Sequence, residues 1–261
     1  MEKEVQTDVT KNIENIETQR IEPTQLEVVQ NDALTIEEIE TGLVYNGSMV
    51  RVADISEEFR KVIEPILRMY NAAMNVTTAR IEIIKDESRY KNVRCPVHHI
   101  DTRLKSAGSI LGKLQKKNLD LTIGAACNNI YDIAGVRIVC PYIKDVYFIR
   151  DRILAQDDIE VMKVKDYIEH PKENGYRSYH LIIRVPVFFM NKKQMVPVEI
   201  QIRTMAMDLW ASLEHDISYK AINSKGEYQG DYSEFREELT ECSRLIYEAE
   251  EKMERMNSIL E

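Results

Sequence analysis

The chain has 261 residues, 44% hydrophobic and 30% charged, with a formal net charge of −9. No stretch approaches the ~18 apolar residues that span a membrane, and the opening "MEKEVQTDVTKNIENIE" lacks the apolar core of a secretory signal, so a cytoplasmic protein with no membrane segment is expected, its four scattered cysteines reduced. Residues 1–40 carry 11 acidic and 3 basic side chains, which leaves 33 acidic against 32 basic elsewhere; RNA binding is not indicated by charge, and any anion site must be local.

Residues 1–45 form an acidic extension with no aromatic before Tyr45 and no sustained apolar period, a composition that predicts disorder or weak helicity. Residues 46–261 are expected to form the functional domain. Asp54-Ile55-Ser56-Glu57-Glu58 reads as a helix start, with Phe59, Ile63, Ile66, Leu67 and Tyr70 following at helical spacing. Pro65 predicts a break into two helices. The second reaches about Tyr90, although Arg80–Lys85 ("RIEIIK") also fits a strand. Lys91–Asp101 reads as a loop, and Arg103–Lys117 as a helix with a basic face. Ala134–Cys140 is a buried strand, and Val146, Ile149, Ile153 and Leu154 share one face of a helix. Strands follow at Ile159–Ile168, His180–Phe188 and Gln194–Arg203, then a helix from Ala206 to Tyr219 and a turn-rich stretch around Gly226 and Gly230. From Ser233 onward Phe235, Leu239, Cys242, Ile246, Ala249, Met253, Met256 and Leu260 recur at steps of three and four, the mark of a long amphipathic helix. Packing on its own domain and packing on another subunit both suit that stripe. The order of elements implies an α+β or mixed α/β fold.

Four segments carry side chains suited to chemistry. In "VEIQIRT" (Val198–Thr204), Glu199, Gln201 and Arg203 point away from Val198, Ile200 and Ile202; the outer face is either solvated or functional. In "YDIAGVRIVC", Asp132 precedes a buried strand, where it serves as a turn residue or as one of two carboxylates around a divalent cation. Mg²⁺ is commonly held by one or two carboxylates plus substrate phosphates. In "TRLKSAGSILGKL", Ser109 and Lys113 share a helix face and Arg103 and Lys105 stand at its entrance, so the segment is a solvated basic helix or an anion site. It is not a Walker loop. "KDYIEHPKENGYRSYH" gathers Lys165, Lys172, Arg177 and His180 around Tyr176 just before a strand. Cations hold phosphates and a ring stacks on a base, while Gly175 lets the backbone bend.

Taken in order, these four segments resemble the small alarmone synthetases, or GTP pyrophosphokinases, over about residues 55–220. The resemblance implies a nucleotidyltransferase-like mixed β-sheet flanked by helices, with a long C-terminal helix. It implies transfer of the β,γ-pyrophosphate of ATP to the 3′-hydroxyl of GDP or GTP, giving AMP and ppGpp or pppGpp. By the same resemblance Asp132 and Glu199 hold Mg²⁺ and Glu199 is the general base. Arg103, with Arg137, stacks on adenine, and Lys105, Ser109 and Lys113 contact the ATP phosphates. Tyr176 stacks on guanine, Asn174 assists it, and Lys165, Lys172, Arg177 and His180 gather phosphates. Relatives of this size form homotetramers, which suits the C-terminal stripe. The single His-Asp dipeptide, His215-Asp216, lies inside the fourth segment, so no hydrolase activity is expected. A nucleotidyltransferase acting on an RNA end or a small acceptor would share the carboxylates but has no use for the loop around Tyr176. A non-catalytic nucleotide sensor has no need of both carboxylates.

Overall fold

The structure, a computed structural model, describes residues 43–45, 48–50, 52–189, 191–221 and 232–260. The acidic extension lies outside the described residues except for its last three, and so does the turn-rich stretch around Gly226 and Gly230. The chain divides into two compact units, Met1–Arg68 with Lys105–Ile133, and Met69–Leu104 with Ala134–Glu261.

In the first unit, β1 (Leu43–Tyr45) and β2 (Ser48–Val50) pair as an antiparallel hairpin. Helix α1 begins at Val52 and runs without interruption to Tyr90 in the second unit. The break expected at Pro65 does not occur. Pro65 lies on the exposed side of the helix, where water can satisfy the carbonyl that loses its partner, while Ile63 and Tyr70 on either side of it are buried. The strand alternative for Arg80–Lys85 is also excluded, since that segment is helical. Helix α2 (Ala107–Lys116) is capped by Ser106, whose side chain accepts from the Ser109 amide, and it buries Ile110, Leu111 and Leu114. A short helix, α3 (Ile123–Asn129), capped by Thr122, was not expected; its glycine and two asparagines carry little helical signal.

The second unit is built on a five-stranded mixed sheet in the order β3-β4-β7-β6-β5. The strands are β3 (His99–Leu104), β4 (Ala134–Cys140), β5 (Glu160–Asp166), β6 (Tyr179–Phe189) and β7 (Lys192–Thr204). Only β4 and β7 run parallel; the other neighbours are antiparallel. Helix α4 (Ile143–Leu154) connects β4 to β5 and packs on β4 and β7 through Val146, Ile149 and Ile153. Helices α5 (Met205–Ala221) and α6 (Tyr232–Leu260) follow and pack on each other. One corrected element bears on the site. Residues 99–104 are strand β3, not the end of a loop and the start of a helix, so Arg103 belongs to the sheet. The apolar face of the sheet, with Val136, Ile138, Leu181, Ile183, Val198, Ile200 and Ile202, is fully buried. That fixes the register, because a one-residue slip would turn these side chains outward.

Candidate active site

The opposite face of the sheet carries five of the residues singled out by sequence, Arg103, Arg137, Lys165, His180 and Glu199. Side chains directly across a ladder lie on one face. One row runs Arg103, Gly135, Glu199, Ile182 across β3, β4, β7 and β6. The adjacent row runs Asp101, Arg137, Gln201, His180, Lys165 across all five strands. Arg103, Arg137, Glu199, His180 and Lys165, far apart in sequence, therefore share a face. Gly135 places no side chain between Arg103 and Glu199.

The middle of this face is a bonded network, while Asp101, Arg103 and Lys165 towards its edges are exposed. Gln201 Nε2 donates to Glu199 Oε2 at 2.9 Å. Arg203 Nη2 donates to Gln201 Oε1 at 2.7 Å and to the Tyr176 hydroxyl at 2.8 Å. The same hydroxyl shares a 3.0 Å hydrogen bond with His180 Nε2. Since it accepts from Arg203, it has its proton free for His180. His180 Nδ1 then faces Glu199 Oε1 at 3.6 Å, too far for a hydrogen bond but close for an electrostatic contact. Asp208, in the first turn of α5, is 3.2 Å from Arg203 and 3.5 Å from Arg137. Arg203 is 3% exposed. Burial pulls its pKa below the ordinary value, opposed by Tyr176 and Asp208. Burial likewise raises the pKa of the Tyr176 hydroxyl, while the Arg203 charge works against the shift. Gln201, Arg203 and Asp208 were not singled out as site residues. The alternation along β7 puts the first two beside Glu199, but nothing local indicates that they interlock.

The loop before β6 brings its own groups to this network. The Tyr176 ring meets Tyr167, His180 and Trp210 edge to face, and Lys172 Nζ stands 4.6 Å from its centroid. Lys165 Nζ donates to the Tyr167 hydroxyl at 2.9 Å. Asn174 Oδ1 accepts from the Tyr176 amide at 3.2 Å, closing an Asx-type turn. Arg177 is placed differently: its guanidinium donates to the Ile168 carbonyl and lies 4.0 Å above the Tyr247 ring.

In the first unit, Lys113 Nζ donates to Asp132 Oδ2 at 2.6 Å and Lys105 Nζ lies 3.3 Å from the same oxygen. Burial works to raise the pKa of Asp132, but the two ammonium groups outweigh it and hold the carboxyl below its ordinary value. Asp132 Oδ1 is buried and has no hydrogen-bond partner among the described residues. Ser109 sits in the first turn of α2, its hydroxyl 2.9 Å from that of Ser106. The Lys105 amide donates to the Ile133 carbonyl, fixing the lysine beside Asp132.

A mixed sheet with a carboxylate and cations on one face, beside an aromatic loop, is an arrangement suited to binding phosphates and a base. Residues 102–224 match the region found in RelA / SpoT proteins. The chain is 41% identical to the GTP pyrophosphokinase YwaC of Bacillus subtilis, over 72% of this chain and 86% of that protein. It is 35% identical to the GTP pyrophosphokinase YjbM of the same organism, over 60% and 73%. The small alarmone synthetase 1 of B. subtilis, solved with its product pppGpp, superimposes with a TM-score of 0.66 at 30% identity, over 77% of this chain and 98% of that one. Small alarmone synthetase 2 does so with 0.63 at 40%, over 74% and 97%. The chain belongs to the GTP pyrophosphokinase family, the small alarmone synthetases.

Proposed function

We propose that the protein transfers the β,γ-pyrophosphate of ATP to the 3′-hydroxyl of GDP or GTP, forming ppGpp or pppGpp and AMP, and that residues 46–261 are the synthetase domain. What carries this reading is the coincidence of kinship over 86% of a GTP pyrophosphokinase with the presence of Asp132 and Glu199 in the segments that resemble that family.

The residues present suit a divalent cation. Asp132 keeps one buried oxygen without a hydrogen-bond partner while its other oxygen is held by lysines. Mg²⁺ is commonly held by one or two carboxylates and completed by substrate phosphates. Mg²⁺ would be held by Asp132 and Glu199, and when bound it neutralises charge on the transferred group.

The chain's own side chains would do the rest. Lys105, Lys113 and the N-terminal turn of α2 at Ser109 bind the ATP phosphates, as cations and a helix N-terminus favour anions. Arg103 and Arg137 take the adenine. Tyr176 stacks on guanine, with Lys165, Lys172 and His180 beside it for acceptor phosphates. Glu199, held by Gln201, accepts the proton of the 3′-hydroxyl. Such a transfer needs alignment and charge neutralisation and no covalent nucleophile. No described helix is long and apolar enough to cross a membrane; a cytoplasmic homotetramer fits the exposed apolar residues of α5 and α6 (Leu209, Leu213, Leu245, Met253).

The test is incubation with ATP, Mg²⁺ and GDP, GTP or GMP, followed by separation of the nucleotides. Stoichiometric AMP and a 3′-pyrophosphorylated guanosine nucleotide are expected. ATP that stays intact with all three acceptors would overturn the reading.

A further inference from the structure

The loop before β6 has two sides, and only one faces the sheet network. Lys172, Tyr176 and His180 serve that network. The residues between them, Glu173, Gly175 and Arg177, are all bound by α6. Arg236 pairs with the Glu173 carboxylate, and Thr240 Oγ1 donates to the Glu173 carbonyl at 3.2 Å. Ser243 Oγ donates to the Gly175 carbonyl at 2.5 Å. Tyr247 stacks under the Arg177 guanidinium. The four α6 residues are spaced by four, three and four, so they form one stripe of the helix.

The fit is tightest at Gly175. Its φ is +88°, and a Cβ there would lie 2.7 Å from Ser243 Cβ and 3.2 Å from Thr240 Cα. The Gly175–Tyr176 peptide is pinned at both ends, its carbonyl by Ser243 and its N–H by Asn174 Oδ1. That peptide plane sets where the Tyr176 side chain leaves the backbone. The ring then reaches Arg203 and His180 through its hydroxyl.

We propose that α6 is the positioning element of the guanine site: Ser243 and Tyr247 hold the 173–177 segment so that Tyr176 and Lys172 are preset for the guanine nucleotide. Arg177 is the anchor of that segment rather than a phosphate ligand. The proposal rests on the reading of the loop as the guanine clamp. Ser243 and Tyr247 touch no substrate; they act through the loop, by reducing the ordering that binding would otherwise require.

The experiment combines hydrogen exchange of the nucleotide-free full chain with steady-state synthesis at varied GDP and varied ATP. The variants are Ser243→Ala, Tyr247→Leu and Tyr247→Phe, each checked by circular dichroism. Ser243→Ala and Tyr247→Leu are expected to speed exchange over residues 172–178 and to raise the KM for GDP about fivefold or more, the worth of one lost hydrogen bond or stacked pair. The KM for ATP and kcat at saturating GDP should stay near wild type, and Tyr247→Phe, which keeps the ring, should restore both readouts. Unchanged exchange in both disruptive variants overturns the anchor. Faster exchange with an unchanged KM for GDP overturns the positioning role, while the synthetase reading stands. A wild-type protein that converts no guanine nucleotide overturns the clamp reading and the proposal with it, whatever the exchange shows.

Discussion

Glu199 lies between hydrophobic Val198 and Ile200 on β7, and its carboxylate is oriented from two sides, by Gln201 at 2.9 Å and by His180 Nδ1 at 3.6 Å. Glu199→Gln keeps the volume and a polar partner for Gln201, so the fold should survive. It removes the proton acceptor and one negative charge proposed for the metal. Loss of a general base costs about 10²–10⁴ in rate. The expected result is a kcat lowered by at least 10²-fold in the sense of that range, with an unchanged circular dichroism spectrum. A variant that keeps more than about a tenth of wild-type kcat at saturating Mg²⁺ would remove Glu199 from the base role. Tyr176 does two jobs that can be separated. Its ring is proposed for guanine, and its hydroxyl supports buried Arg203. Tyr176→Phe keeps the ring and should leave the KM for GDP within a few-fold of wild type while lowering thermal stability by ~1–3 kcal/mol, because a buried guanidinium loses a partner. Tyr176→Ala should raise the KM for GDP by the ~1–3 kcal/mol of one stacked base. Equal KM values for the two variants would remove the ring from the binding site.

At the scale of elements, the loop–helix contact makes the sharpest demand on sequence. Gly175→Ala places a methyl group against Ser243 in a backbone conformation that L residues rarely adopt. Its expected cost is ~1–3 kcal/mol of stability together with a raised KM for GDP, measured by denaturant unfolding and by kinetics. A neutral Gly175→Ala would mean that the loop rests elsewhere. The core elements were legible because their apolar periods are strong: β4, β6, β7, α4, α5 and α6 stand within a few residues of where the alternation and the three-four spacing place them. Strand β3 was not legible. "HHIDTRL" has only Ile100 and Leu104 as apolar residues, and its partner β4 supplies the hydrogen bonds that make it a strand. Arg103 consequently moved from a helix entrance to the sheet. Pro65 failed as a helix breaker because its exposed position leaves the deprived carbonyl to water. Of the site, the residue types at Asp132, Glu199, Tyr176 and the lysines were legible as chemistry without structure. The contacts of α6 with the loop depend on tertiary placement, since partners such as Gly175 and Ser243, 68 residues apart, leave no local trace.

For the whole molecule, two expectations concern assembly and pH. Met205, Leu209, Leu213 and Ile217 are spaced by four along α5, and all are exposed. In a homotetramer this stripe would be covered. Leu209→Glu combined with Leu213→Glu should lower the mass found by light scattering while leaving the monomer folded; an unchanged mass would place the interface elsewhere. The pH dependence centres on Glu250 of α6, which is 6% exposed and has one carboxylate oxygen, Oε2, buried with no hydrogen-bond partner among the described residues. Burial pushes its pKa from 4.5 to about 7; the Thr204 hydroxyl and Arg177 pull it down, and Glu254 pushes it up. The sign follows from linkage. The folded chain holds this proton more tightly than the unfolded chain, so the stabilising contribution is complete below the unfolded pKa of 4.5 and fades as pH rises to about 7. The full difference is on the order of 3 kcal/mol. Glu250→Gln preserves the shape without the ionisation. It should change the unfolding midpoint little at pH 5 and raise it by several degrees at pH 8, where the wild type must keep a carboxylate buried or open the α6 contact. Thermal unfolding at the two pH values decides the matter: parallel shifts of wild type and variant would show that Glu250 does not set the slope.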